Sequence, residues 1–315
     1  MKKKFLCSLL ITMLFLTACS PSKQSIEDNP TIKIGYLPIT HAGPLFLGDH
    51  LHNGQYDGYQ VELVKFGSWP DLMDALNTGR IDGASVLAEL AMKANELGID
   101  LQTVGLAHKD GNVLISSNDI QTTEDLKDKT YAIPHKFSSH NILLNEMLKK
   151  NGMSYDDVNV VEMTPAEMPA ALSENRISGY VVAEPFGAIA VAMEKGKVHA
   201  HSDEIWPNSY CCIIVLHTDF IRNNKEVVQS FVNEYVALGK QADLKGDEVY
   251  DAFSKFMKVD RAVLELSMQW ISFGDLRVDE GEYNKLSDFM VEMGISDNPP
   301  TYKNFVDNTF IDGAS

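Results

Sequence analysis

The chain of 315 residues carries one pattern twice, and this internal repeat limits the folds open to it. At an offset of 96 residues, segment 76–87 lies opposite 172–183, and leucine, arginine, isoleucine and glycine recur in register. The residues around each segment predict a strand, a helix and a further strand. Two copies of a βαβαβ unit are therefore expected, each forming a small lobe whose mainly parallel sheet is flanked by helices.

Two such lobes predict a two-lobed α/β fold with one shared cleft. We expect lobe 1 to comprise residues 31–116 and 216–315, and lobe 2 to comprise residues 117–215. Apolar residues at helical spacing after Ile221 predict C-terminal helices that pack on lobe 1. Because ligands bind beyond the carboxyl ends of parallel strands, the two sites would face each other across a hinge of two chain crossings.

The N-terminus predicts export and lipid anchoring. Three lysines precede an apolar run at 5–18, which is the pattern of a secretory signal peptide, and no later stretch is apolar enough to span a bilayer. Leu16-Thr-Ala-Cys19 matches a bacterial lipobox, so residues 1–18 would be removed and Cys19 lipidated. The polar residues 19–30 then form a flexible tether. The protein would sit on the outer face of the cell membrane.

Charge and cysteine content agree with an exported domain. Without the signal peptide, 24 Lys plus Arg face 44 Asp plus Glu, and a surface this acidic disfavours nucleic acid as a partner. Beyond the signal and Cys19, only the adjacent Cys211 and Cys212 remain. Their apolar surroundings predict a buried strand in which they pack as small hydrophobic residues. We expect a monomer with no cofactor.

Four motifs, in order along the chain, carry a family resemblance: Ile34–Leu45, Gly79–Ala84, Ala132–Ser139 and Ala183–Phe186. Together they resemble the periplasmic binding protein type II fold, in particular the family that binds nitrate, taurine, aliphatic sulfonates and pyrimidine precursors of thiamine. The resemblance implies an ABC permease and ATPase as partners. It also implies a small polar or anionic organic solute as ligand, and a binding protein rather than an enzyme.

The resemblance and the predicted strand ends together give a set of candidate ligand-binding residues. They are Thr40, His41, Trp69, Ser85, His135, Ser138, Ser139, His140, Glu184, Phe186 and Tyr210. Hydroxyl and backbone N–H donors at helix starts suit a polar or anionic ligand, and an aromatic face suits a flat one. Structural interpretations stay open, since Thr40 and Ser138 can cap helices, Trp69 can pack on its own helix and Glu184 can serve the hinge. Arg80 and Arg176 are expected to face solvent.

Two other functions remain open at this point. A metal-capturing lipoprotein would use His41, His135 and His140 with Glu184, although no metal-binding spacing supports it. An enzyme on the same fold is the other alternative, because pyrimidine-synthesising relatives use histidine and a cysteine-rich motif that Tyr210-Cys-Cys212 resembles faintly. No nucleophile elbow, phosphate loop or His-Glu-x-x-His pattern is present.

Overall fold

The structure, a computed structural model, describes residues 29–314. The predicted signal peptide, lipidation at Cys19 and nearly all of the tether therefore lie outside the described residues. Thirteen strands are present in that range: β1 Thr31–Tyr36, β2 Gln55–Tyr56, β3 Tyr59–Lys65, β4 Gly83–Leu87, β5 Leu101–Leu106, β6 Lys109–Asp110, β7 Asn112–Ser116, β8 Thr130–Ile133, β9 Asn159–Glu162, β10 Gly179–Ala183, β11 Lys197–His201, β12 Cys212–His217 and β13 Ile271–Ser272.

Fourteen α-helices alternate with and follow these strands in residues 29–314. They are α1 Gly43–His52, α2 Trp69–Asn77, α3 Ala88–Glu96, α4 Ser139–Lys150, α5 Met168–Ser173, α6 Phe186–Ala192, α7 Ser202–Ile205, α8 Thr218–Asn223, α9 Lys225–Ala242, α10 Asp247–Met257, α11 Arg261–Ser267, α12 Glu280–Glu292, α13 Tyr302–Phe305 and α14 Thr309–Asp312. Short 3₁₀ helices add single turns, among them Thr40–Ala42 directly before α1. None of the described helices is long and apolar enough to cross a membrane.

Two sheets of matching topology confirm the two-lobed α/β fold. The first has the strand order β2-β3-β1-β4-β12-β5 and the second β11-β7-β10-β8-β9. In each sheet three parallel strands come from one repeat unit, and an antiparallel strand pairs beside the last of them. The repeat in the sequence therefore corresponds to β1, β3 and β4 in the first sheet and to β8, β9 and β10 in the second.

The repeated glycines have the same structural role in both sheets. Gly83 begins β4 and Gly179 begins β10, each buried beside an antiparallel neighbour. A Cβ on Gly83 would lie 2.3 Å from the carbonyl oxygen of Val215, and a Cβ on Gly179 would lie 2.5 Å from that of Ile115. The sequence repeat thus preserves two places where only glycine lets the strands approach each other.

The chain changes sheet at places that differ from the sequence expectation. Strand β7 ends at Ser116 but pairs with β10 in the second sheet, so the chain leaves the first sheet after β5 and not after Ser116. It returns between β11 and β12, and β12 already belongs to the first sheet from Cys212 onward. Both β7 and β12 are largely buried and mainly apolar, and their composition does not reveal which sheet they join.

The C-terminal helices cover the first sheet as predicted, with one exception. Helices α9 and α10 pack on α1, while α11 packs on α6 beside the second sheet. The arginines at equivalent repeat positions face solvent, since Arg80 pairs with Asp74 and Arg176 with Glu174 on exposed surfaces.

Candidate functional site

Loops at the strand ends of both sheets meet in the middle of the molecule. The backbone N–H of Thr40, after β1, donates to the carbonyl oxygen of Glu184, after β10, at 2.8 Å. The Thr40 hydroxyl reaches the same oxygen at 3.2 Å. His41 Nε2 lies 3.2 Å from the carbonyl oxygen of Gly111, which precedes β7. The loops of the two lobes are therefore bonded directly to each other, and the cleft floor between them is closed.

Two histidines and two cysteines fill this floor, which we call the His/Cys cluster: His41, His108, Cys211 and Cys212. The Sγ atoms of Cys211 and Cys212 are 3.8 Å apart, and Cys212 Sγ lies 3.5 Å from Nδ1 of His41. The rings of His41 and His108 stack with centroids 3.5 Å apart. His140, at the start of α4, brings its ring nitrogens to 3.9 and 4.0 Å from Cys211 Sγ.

The surroundings shift the pKa values of the two thiols in opposite directions. Burial disfavours the Cys211 thiolate, but the Cys212 thiol and the rings of His140 and His108 stabilise it, so that the pKa of Cys211 falls well below its usual value. Burial and the neighbouring Cys211 charge raise the pKa of Cys212. Burial and the proximity of His41 lower the pKa of His108 to about 4, so this imidazole is neutral at pH 7.

A second group of polar side chains lies next to the cluster. Glu89, in the first turn of α3, is fully buried near Ser139 at the start of α4, and burial, with the Cys211 charge as a smaller cause, raises its pKa well above normal. The Ser139 hydroxyl is also buried and, like both Glu89 oxygens, makes no hydrogen bond of ordinary geometry within residues 29–314. Buried polar groups are normally paired, so these unpaired atoms are candidates for contact with a ligand.

A second buried carboxyl belongs to Glu184, the first residue after β10. Its side chain is fully buried, and Oε2 accepts the backbone N–H of Ala188 at 3.0 Å. The other oxygen has no partner in the described part of the chain. Burial raises the pKa of this carboxyl to about 8, so that it is mainly protonated at neutral pH.

An outer cavity opens between the lobes at the other candidate residues. It measures about 230 Å³, and its walls include Trp69 at the start of α2 and His135 after β8. His135 Nδ1 accepts the backbone N–H of Phe137 at 2.9 Å and lies 4.0 Å from Glu162. Trp69 is buried, and its indole N–H has no partner within the described residues. Both therefore face the cleft, but His135 is not a member of the His/Cys cluster.

Several expected residues have other surroundings. Ser85 lies in the middle of β4 opposite Ile214, and not at the strand end where the sequence placed it, because the strand continues to Leu87. Ser138 is the N-cap of α4, with its hydroxyl accepting the N–H of Asn141 at 3.3 Å. The carbonyl oxygen of Phe186 accepts a hydrogen bond from the Tyr180 hydroxyl. Tyr210 lines a separate cavity of about 330 Å³, which also contains Lys109 and Arg277.

His108 and Glu89 were not predicted from the sequence, and for Cys211 and Cys212 packing was favoured over a redox or metal role. Both cysteines are free and buried, as expected, but their sulfurs face imidazole nitrogens. Glu89 follows the β4 strand end directly, where a search for polar residues at strand ends would have found it. His108 follows β5, a strand outside the repeat, so no sequence feature connected it with His41.

The two paired sheets and the polar strand-end loops between them define a periplasmic binding protein of type II fold. The chain belongs to the NMT1-like family, whose model matches residues 25–252. Among solved structures it is 41% identical to a zinc-bound ligand-binding component of an ABC-type import system from Staphylococcus aureus, with a TM-score of 0.86 over 91% of this chain and 99% of that one.

Two further relatives are more distant. The periplasmic nitrate-binding protein NrtA from Synechocystis shares the fold, with a TM-score of 0.80 at 15% identity, over 91% of this chain and 88% of that one. A putative aliphatic sulfonates-binding protein of Escherichia coli is 28% identical over 193 residues, covering 60% of each chain. The chain spans between 29% and 60% of the length of the first curated relatives that it matches.

Proposed function

We propose that the chain is the solute-binding component of an ABC importer. It captures a small polar or anionic organic solute between its two lobes and delivers that solute to a permease driven by an ATPase. The observation that carries this proposal is the closed cleft floor, where loops of both sheets bond to each other around buried polar atoms that have no partner among residues 29–314. Likeness to the Staphylococcus aureus import component, which covers nearly all of both chains, supports it.

The groups in the cleft suit a solute with both acceptor and donor atoms. Ser139 offers a hydroxyl and lies in the first turn of α4, whose N-terminus favours negative charge. Burial raises the pKa of Glu184 and of Glu89 and so favours their protonated forms, which offer an O–H donor. Trp69 and His135 give the outer cavity aromatic walls. A nitrate, sulfonate or pyrimidine-type solute can use these groups without an arginine.

The remaining parts of the proposal concern the whole protein. We place it at the extracytoplasmic face of the cell membrane, held by a lipid on Cys19 after removal of residues 1–18, as a monomer that catalyses no reaction and needs no cofactor. We assign the lobes by sheet membership: the first contains β1 to β5 and returns at β12, and the second contains β7 to β11. The two connections between them serve as the hinge.

Capture of a metal ion is the second candidate function. It is favoured by the His/Cys cluster, whose four donor atoms lie close together, and by the zinc bound to the Staphylococcus aureus relative. The residues differ from the set proposed from sequence, because His135 lies in the outer cavity and Glu184 holds the backbone of α6. Only His41 belongs to both sets.

Thermal unfolding tests the main proposal. The chain from Ser20 onward, which includes every described strand and helix, is heated with taurine, alkanesulfonates, nitrate, bicarbonate and pyrimidines in turn. We expect one chemical class to raise the midpoint by several degrees, because a ligand at a hundredfold excess over its Kd stabilises a protein by about 2.7 kcal/mol. No shift with any of these compounds would contradict the assignment to organic solutes.

Two neighbouring serines give a matched pair of variants for this assay. Ser139→Ala removes a buried hydroxyl that has no partner in the described residues, so it should abolish most of the solute-induced shift while the unliganded midpoint changes little. Ser138→Ala removes the cap of α4 and should lower the unliganded stability by about 1 kcal/mol while keeping the shift. The reverse result would place the ligand elsewhere.

A further inference from the structure

The fold brings soft-metal ligands together at the cleft floor from three separate segments. His41 follows β1, His108 follows β5, and Cys211 and Cys212 stand at the start of β12. Each offers one donor atom, and these four atoms lie within 4.8 Å of one another. All four side chains are fully buried. Cysteines that served packing alone would face apolar groups, whereas these sulfurs face ring nitrogens.

The distances match the edges of a tetrahedral coordination sphere. Zinc lies about 2.3 Å from a thiolate sulfur and about 2.0–2.1 Å from an imidazole nitrogen, so ideal angles place two sulfurs about 3.8 Å apart, and a sulfur and a nitrogen about 3.5 Å apart. The observed separations are 3.8 Å between the two Sγ atoms and 3.5 Å between Cys212 Sγ and His41 Nδ1. Two of the three edges among these donor atoms therefore match, and the third, between Cys211 and His41, is within 4.8 Å.

A backbone carbonyl sets the tautomer of His41 that such an ion requires. Nε2 of His41 lies 3.2 Å from the carbonyl oxygen of Gly111. Because this oxygen can only accept, Nε2 carries the hydrogen and Nδ1 directs its lone pair towards Cys212. Metal-binding histidines are commonly held in this way, with the second ring nitrogen donating to a carbonyl or carboxylate.

His108 has a supporting part in the same cluster. Its Nε2 accepts the backbone N–H of Cys212 at 3.2 Å, so the neutral ring carries its hydrogen on Nδ1. The ring also stacks on His41, with centroids 3.5 Å apart. By accepting the Cys212 N–H and stacking on His41, His108 holds two of the ligands in place, which makes it a positioning residue.

We propose that the cleft floor binds one zinc-type ion through Cys211, Cys212 and His41, with one coordination position left open to water or to a donor atom of a solute. Two thiolates and a neutral imidazole around a divalent ion give no net charge, so burial of the loaded site is tolerated. Sulfur and imidazole ligands select zinc over magnesium or calcium. The inference deepens the second candidate function and rests on the same closed cleft, but it does not require an organic solute.

Metal titration of the reduced, chelator-treated chain from Ser20 tests this. Zinc is added in competition with a chromophoric chelator, and we expect one ion per chain. Cobalt(II) in its place should give the intense visible absorption of a tetrahedral site and a sulfur-to-cobalt charge-transfer band. Cys211→Ser, Cys212→Ser and His41→Ala should each weaken zinc binding about 100-fold or more, and His108→Ala about 10-fold to 100-fold.

His50→Ala is the matched control and should leave zinc affinity unchanged, because His50 lies on the exposed surface of α1. Circular dichroism of each variant without metal checks its fold, and the cobalt spectrum of the unaltered chain tests the sulfur ligands even if a variant fails to fold. A wild-type chain that binds no zinc at micromolar concentration, or a cobalt spectrum without the sulfur band, would overturn the inference.

The two proposals can fail separately. The organic panel is repeated with excess chelator, and a solute shift that persists there supports the transport proposal whether or not zinc binds. If zinc binds with the expected dependence on the two cysteines while no organic solute shifts the midpoint, the metal site stands and the assignment to organic solutes is lost.

Discussion

Gly83→Ala should destabilise the chain by about 3 kcal/mol or more, because the added methyl group has no space. A Cβ at this position lies 2.3 Å from the carbonyl oxygen of Val215 and 2.4 Å from a methyl carbon of Leu216. Val215 and Leu216 belong to β12, which pairs with β4 opposite Ala84 and Gly83. The oxygen cannot withdraw unless these central strands separate. Chemical denaturation followed by fluorescence or circular dichroism measures the loss.

Gly67→Ala is the control for this substitution. Among the residues that the structure describes, nothing lies within 4 Å of a Cβ added at Gly67, so the free energy of unfolding should change by less than about 1 kcal/mol. Gly179→Ala should repeat the large effect in the second sheet, since its Cβ would meet the carbonyl oxygen of Ile115 at 2.5 Å. If Gly83→Ala unfolds at the wild-type denaturant concentration, the close approach of β4 and β12 is wrong.

Glu184→Gln should change both the free energy of unfolding and the way in which that free energy depends on pH. Burial raises the pKa of the Glu184 carboxyl from its ordinary value of 4.5 to about 8. The folded chain therefore binds this proton more tightly than the unfolded chain does. The contribution is fully present below pH 4.5 and is lost as the pH rises towards about 8. Over that window the loss amounts to roughly 4 to 5 kcal/mol, at about 1.36 kcal/mol per pH unit.

The glutamine variant has no such proton to lose, and its amide oxygen can still accept the N–H of Ala188. Its stability relative to wild type should therefore rise steadily between pH 5 and pH 8. The variant should still lose some stability as the pH rises, because burial raises the pKa of Glu89 as well. The exposed Glu280 provides the control, and Glu280→Gln should leave the slope unchanged. Parallel stability curves for wild type and Glu184→Gln would show that Glu184 is ionised in the folded chain.

The repeat was the feature from which most of the fold could be predicted. Equivalent positions keep the glycines at which β4 and β10 begin, and steric contact with a neighbouring carbonyl explains why. Strands β1, β3, β8 and β9 were recognised within a few residues of their bounds. Strands β7 and β12 lie outside the repeat and pair antiparallel to it. Their sheet membership depends on contacts distant in sequence, which local patterns do not record.

The same long-range pairing explains what was missed at the site. His108 reaches the cysteines because β12 pairs antiparallel with β5, which sets Ile213 opposite Leu106 and the N–H of Ala107 against the carbonyl of Cys212. Residues after β1 and β10 were predictable because a parallel strand end points at the cleft. Ser85 was misplaced by two residues, since its strand continues through a buried apolar pair.

Hydrogen–deuterium exchange tests most directly whether a solute is held between the two lobes. The chain is compared with and without the compound that gives the largest thermal shift. We expect slower exchange in peptides from both sheets, around Thr40–Ala42 after β1 and around Ser139 and Glu184 after β8 and β10. Protection confined to one sheet, or protection at neither set of strand ends, would contradict binding in the cleft.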